Sequence, residues 1–145
     1  MAEEVAEIFS KHIFSSKYED LSEKTIKQLK VFLLDTIGVG IAGSTGSKLN
    51  ELKKIAHTWS KGKNCTVLGT WDRYSRDAST LINAYQIHCL EFDCIHEGAV
   101  VHPMAAILSS LLAHCEEINN LGHHTNGKEF LISLALGVDL SLIHI

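Results

Sequence analysis

Between Asn83 and Pro103 the chain reads NAYQIHCLEFDCIHEGAVVHP, and this window holds His88, Glu91, Asp93, His96 and His102, with Cys89 and Cys94 among them. Imidazoles and carboxylates are the side chains that move protons near neutral pH. A segment that only fills a core has no need of so many. The window closes on His102-Pro103, which contains the only proline in the chain. Proline disfavours the α conformation at the residue before it, so His102 is expected at a break in the helical pattern, in a fixed, non-helical pose. A carboxylate and a histidine on one rigid loop can act as base and acid for elimination or epimerisation beside a carbonyl or carboxylate. A structural role for Asp93, bonding the free amides of the loop, is equally consistent with the residues. His88, Asp93, His96 and His102 are also candidate metal ligands, because zinc accepts imidazole and carboxylate, although the set lacks HExxH or paired-cysteine spacing. Cys94 does not read as a nucleophile, since a carboxylate neighbour raises a thiol pKa.

The elements that must position this window are helices. Val5, Ile8, Phe9, His12 and Ile13 predict a first helix over about 2–14. Asp20 followed by Glu23 has capping-box spacing and opens a long second helix, whose face runs through Ile26, Leu29, Leu33, Ile37 and Ile41 to about Ala42. Lys48–Lys61 is expected as a third helix with Leu49, Leu52, Ile55, Ala56 and Trp59 buried. Cys65–Leu68 is the one convincing extended piece, bounded by Gly62 and Gly69. Helix resumes over Asp77–His88, then over Met104–Ile118. A polar loop at Asn119–Asn126 leads to a last helix over Phe130–Val138, opened by Gly127-Lys128-Glu129. The fold class expected is mostly α, a helical bundle. Gly38-Val39-Gly40-Ile41-Ala42-Gly43 matches GxGxxG, but it follows a helical pattern rather than a strand. Its glycines are therefore expected to serve close helix packing and not a dinucleotide.

Composition narrows the functional classes. The chain has 145 residues, 46% hydrophobic and 21% charged, with a formal net charge of −4. That is a globular composition, and scattered lysines and arginines argue against nucleic acid as a partner. No apolar run reaches transmembrane length, so no membrane partner is expected. Cys65, Cys89, Cys94 and Cys115 form no CxxC pair and read as reduced thiols. A cytoplasmic location is expected, and the mitochondrial matrix is also compatible.

Four stretches together resemble the MmgE/PrpD family. They are Tyr18-Glu19-Asp20-Leu21, the helix from Leu34-Asp35-Thr36-Ile37 to Gly43 ("LDTIGVxxAG"), the Asn83–Pro103 window ("NG…H.LDFDDxH…HP"), and Gly127-Lys128-Glu129 with Leu136-Gly137-Val138. The resemblance implies a portion of a large all-helical domain, with a smaller α/β lid and homodimerisation in full-length members. It implies lyase-type chemistry on a small di- or tricarboxylate without metal or organic cofactor. Members include 2-methylcitrate dehydratase of propionate catabolism, cis-aconitate decarboxylase and iminodisuccinate epimerase. By matching the motif, His102 is expected to contact or protonate substrate and Glu91 or Asp93 to orient it or take a proton, with His96 as the histidine after the acidic run. Departures are Cys94 at the third acidic position, Ile95 where several members carry threonine, and Ala84 for the glycine of "NG". A second active-site histidine and lysines are implied downstream of this chain.

Residues 1–139 are accordingly expected to be the front portion of the helical domain, and residues 140–145, LSLIHI, to be a translated sequencing-adapter scar. A helical domain cut there is expected to leave apolar faces of Met104–Ile118 and Phe130–Val138 uncovered, and the isolated chain is expected to be inactive. A non-catalytic helical scaffold and a zinc-binding helical module are the competing readings.

Overall fold

Apolar periodicity sets the helices and polar side chains set their ends. In the computed structural model, which describes residues 4–142, six helices follow one another with a single small sheet. Helix α1 spans Val5–Ser15, α2 Glu23–Ala42, α3 Leu49–Trp59, α4 Arg76–His88, α5 Pro103–Asn120 and α6 Gly127–Leu142. Strands β1 (Cys65–Thr66) and β2 (Arg73–Tyr74) pair antiparallel, Cys65 opposite Tyr74 and Thr66 opposite Arg73. The mostly α class expected from sequence is what forms. Among the described residues no single helix is long and apolar enough to cross a membrane.

The capping at α2 differs from expectation. Ser22 is the cap, its hydroxyl accepting from the Thr25 N–H at 3.1 Å. Asp20 lies too far ahead of Glu23 to reach the first-turn amides, and instead accepts from the Lys17 N–H at 2.8 Å, closing the preceding turn. At α6 a reciprocal cap does form. Asn126 accepts from the N–H groups of Lys128 and Glu129, and Glu129 accepts from the Asn126 N–H. Both arrangements satisfy amides that a helix start leaves free.

Two apolar clusters hold the elements together. Leu29, Met104, Leu108, Leu131 and Leu134 join α2, α5 and α6. Leu49, Ala56, Val67, Ala78 and Ile82 join α3, the hairpin and α4. Helix α4 packs against both α2 and α5 and so links the clusters. Two burial expectations fail. Ile55 and Trp59 of α3 are exposed, because α3 packs inward through Leu49, Leu52 and Ala56. The faces of α5 and α6 expected to be bare instead cover each other, with Leu108 and Leu134 fully buried. The exposed apolar side chains lie mainly elsewhere, including Val5, Ile8, Ile13 and Phe14 of α1 and Val31, Leu34 and Ile41 of α2.

The GxGxxG stretch lies on α2 and its C-terminal end, as helix packing requires. A side chain at Gly43 would collide with the Gln86 carbonyl of α4, and one at Gly40 would come within 2.8 Å of Leu68 Cδ1. The missing Cβ atoms let two helix backbones approach closely. Gly38 on the same helix has nothing within 4 Å. Gly43→Ala is therefore expected to cost about 1–3 kcal/mol through overpacking. Gly38→Ala is expected to gain up to about 1 kcal/mol from helix propensity. Urea unfolding of the two variants checks this, and equal effects would contradict the close-approach reading.

Candidate functional site

The site begins with the polar face of α4. Ser79, Asn83 and Gln86 recur at four- and three-residue steps, all are buried, and all bond backbone outside the helix. Ser79 Oγ donates to the Cys65 carbonyl at 2.9 Å. Asn83 Nδ2 donates to the Thr66 carbonyl at 3.0 Å, and its Oδ1 accepts from the Leu68 N–H at 2.9 Å. Gln86 Nε2 donates to the carbonyls of Leu68 at 2.8 Å and Gly40 at 3.0 Å. Buried amide and hydroxyl groups are costly unless bonded, so these bonds fix the rotation of α4. They thereby fix where its last residue, His88, points.

After His88 the chain turns through residues 89–102 before Pro103 starts α5. His96 and Val101 pair as an isolated bridge, with the His96 N–H donating to the Val101 carbonyl at 2.9 Å. Glu91 and Val100 both take positive φ, 52° each. His102 caps α5 in a non-helical pose with φ −105° and ψ 76°, as the following proline requires. The loop thus returns His102 to the end of α4 that it left.

Asp93 lies between the two. Its side chain is 0% exposed. With the carboxylate ionised, the His88 Nδ1–H donates to it, at 3.1 Å from Oδ1 and 3.2 Å from Oδ2. His102 Nδ1 stands 3.2 Å from Oδ2, within ion-pair range. It lies off the line a hydrogen bond needs, so this buried nitrogen is left without a bonded partner. The two imidazole rings meet edge to face, with centroids 4.9 Å apart and planes at 63°. Their side chains keep 51% (His88) and 31% (His102) of their exposure, so the cluster has a buried floor and an open mouth. Asp93 pairs with these histidines and not with a lysine or arginine among the described residues.

Of the sequence candidates, Asp93 and His102 are brought together. Glu91 and His96 are not in the cluster. Glu91 is exposed at its left-handed turn, and exposed His96 uses its Nδ1 to accept from the Ala99 N–H at 3.1 Å. His88 is the member that the proton-transfer reading omitted. Its signal was present, since a histidine ending a helix five residues before an aspartate can fold back on it. Cys94 follows the sequence reading: burial, then the Asp35 and Asp93 carboxylates, push its thiol pKa up. Burial also pushes up the Cys89 thiol.

Comparison with known proteins gives the relatives of this chain. A family model described as the MmgE/PrpD N-terminal domain matches residues 7–143. A cis-aconitate decarboxylase-like protein, oryM, of Aspergillus oryzae is 28% identical, over 85% of this chain and 26% of its own length. The cis-aconitate decarboxylases of Homo sapiens and Mus musculus are each 26% identical, over 99% and 97% of this chain and 30% and 28% of theirs. The chain therefore spans under a third of the length of these curated relatives.

Val100 is a β-branched residue in the left-handed region with its side chain 76% exposed. It carries strain with little packing in return. Replacement by asparagine, which tolerates that region, is expected to stabilise the chain by about 1 kcal/mol. A rise in the urea midpoint at unchanged slope is the result that checks it.

Proposed function

The chain belongs to the MmgE/PrpD family, and from that premise we propose that His88, Asp93 and His102 form part of a proton-transfer site in a cofactor-independent lyase acting on a small di- or tricarboxylate. One observation carries the reading: a fully buried carboxylate touches two imidazoles whose outer edges remain open. A carboxylate that takes the Nδ1–H of an imidazole, as Asp93 does from His88, fixes that ring and its tautomer and leaves Nε2 open, while His102 stands beside it with its Nδ1 3.2 Å from the same carboxylate. In this reading His102 is the group that hands a proton to, or takes one from, carbon next to a substrate carboxylate. Asp93 positions the imidazoles, a role for which its burial suits it better than exposed Glu91. The relatives named as cis-aconitate decarboxylases support decarboxylation of a tricarboxylate ahead of 2-methylcitrate dehydration.

The same geometry argues that the described cluster is only part of a site. A polycarboxylate needs cations to hold it, and Asp93 instead adds negative charge that only histidines compensate. In the proposed enzyme the cations come from the remainder of a chain of the relatives' length. This 145-residue chain by itself is expected to convert neither cis-aconitate nor 2-methylcitrate, followed by proton NMR of the mixture. In a chain of full family length, His102→Gln is expected to lower kcat by about 10²–10⁴, the usual worth of a positioned acid or base. His96→Gln and Glu91→Gln are expected to change it less than about tenfold, since neither side chain reaches the cluster. A full-length chain that turns over neither acid would favour the non-catalytic scaffold, to which Cys94 and Ile95 in place of the family's usual residues already point.

A further inference from the structure

We infer that His88, Asp93 and His102 also form a chelating site for a divalent transition metal of the zinc class, and that bound metal takes over the Asp93–imidazole contacts on which proton transfer would depend. The second half of this inference rests on the function proposed above; the first rests on the donors alone.

One donor atom from each of the three residues lies within 4.8 Å of the others. His88 Nδ1 and His102 Nδ1 each stand 3.2 Å from the same Asp93 Oδ2, close to a coordination edge. Ligands held about 2.0–2.1 Å from a tetrahedral zinc stand roughly 3.3 Å apart. The three donors lie within 4.8 Å of one another, so the two imidazoles have to close by up to about 1.5 Å to reach such an edge. The donor set is two imidazoles and one carboxylate, which suits zinc, cobalt and nickel better than magnesium or calcium.

A second observation points the same way. His102 Nδ1 is buried and makes no hydrogen bond. A buried polar atom left in that state is costly, and coordination would satisfy it. The three donors are also held before any ion arrives. His88 is fixed by the bonded face of α4, His102 by the start of α5, and Asp93 by its burial between them. His88 is half exposed, so solvent reaches the cluster from that side. A metal there would keep one site for water or a carboxylate oxygen, as three-ligand zinc centres do.

The test is cobalt(II) titration of the full 145-residue chain, followed by visible absorption, with zinc as competitor. One equivalent should bind, with tetrahedral-type bands and no thiolate charge-transfer band. His88→Ala, whose ring is half exposed, and His102→Gln should each weaken binding more than about tenfold, with circular dichroism confirming the fold. His96→Gln should leave it unchanged. Acidification should release the metal, because its ligands must be deprotonated. Unchanged affinity in both cluster variants, or a thiolate band from Cys89 or Cys94, would overturn the site. In an active chain of family length, zinc should inhibit in step with its binding. Cobalt binding without such inhibition would leave the metal site standing and overturn the shared use of its donors. Absence of turnover from every chain would count against the enzymatic reading and leave the cobalt result untouched.

Discussion

The side-chain amide of Gln86 is the point on which the architecture depends. It donates at once to Gly40 on α2 and to Leu68 after β1, so one buried group ties two helices and the hairpin together. It can do so only because α2 and α4 approach with no side chain between them at Gly40 and Gly43. The glycines and the glutamine therefore form one device: the first permit the distance, the second uses it. The arrangement has a cost, because Gln86 Oε1 is buried without a partner. An unpaired buried acceptor disfavours the folded state by about 1–3 kcal/mol. Two good bonds from the same amide, with those of Asn83 and Ser79 beside it, offset that cost.

The site inherits its rigidity from this device. His88 is the last residue of α4, so whatever holds the helix in rotation holds the imidazole. Asp93 then solves a problem that the loop creates for itself. A carboxylate with no exposure must find a compensating group or lose its charge, and the two groups within reach are His88 and His102. The loop is drawn closed around that contact. Its closure forces tight turns, and the loop's own two non-glycine residues at positive φ, Glu91 and Val100, lie where the chain reverses. Strain of this kind persists only where surrounding contacts over-determine it, and here the contacts of Asp93 with His88 and His102, the His96–Val101 bridge and Pro103 supply them.

Much of this was legible in the sequence, for reasons that differ by element. Helices α2, α4 and α5 follow a strong apolar period, and Pro103 marks a helix start without ambiguity. The glycines were read correctly because periodicity excluded a preceding strand. Periodicity could not say which of two apolar faces α3 would bury, since Ile55 and Trp59 repeat as regularly as Leu49 and Ala56, and only the position of α4 decides. Residue type found the window but could not sort its members. Glu91 and Asp93 are alike as carboxylates, yet a left-handed turn leaves one exposed while the other is buried. His88, named among the possible metal ligands, was left out of the proton-transfer set for the converse reason. It reads as the end of a helix, and its role appears only when the loop brings Asp93 back.

The sorting also bears on what the cluster can be used for. A site built for proton transfer and one built to hold an ion begin from the same requirement, a few donors converging on one point with their rings fixed. They part over charge. Two imidazoles and one carboxylate compensate each other, and leave little net attraction for a substrate carrying two or three carboxylates. Such a substrate needs positive charge from elsewhere, and the described residues place no lysine or arginine in an ion pair with Asp93. A divalent cation has the opposite requirement, and the buried Asp93 carboxylate already meets it. The cluster as it stands is thus closer to a complete metal site than to a complete polycarboxylate site. Its use as the latter depends on positive charge that the described residues do not pair with Asp93.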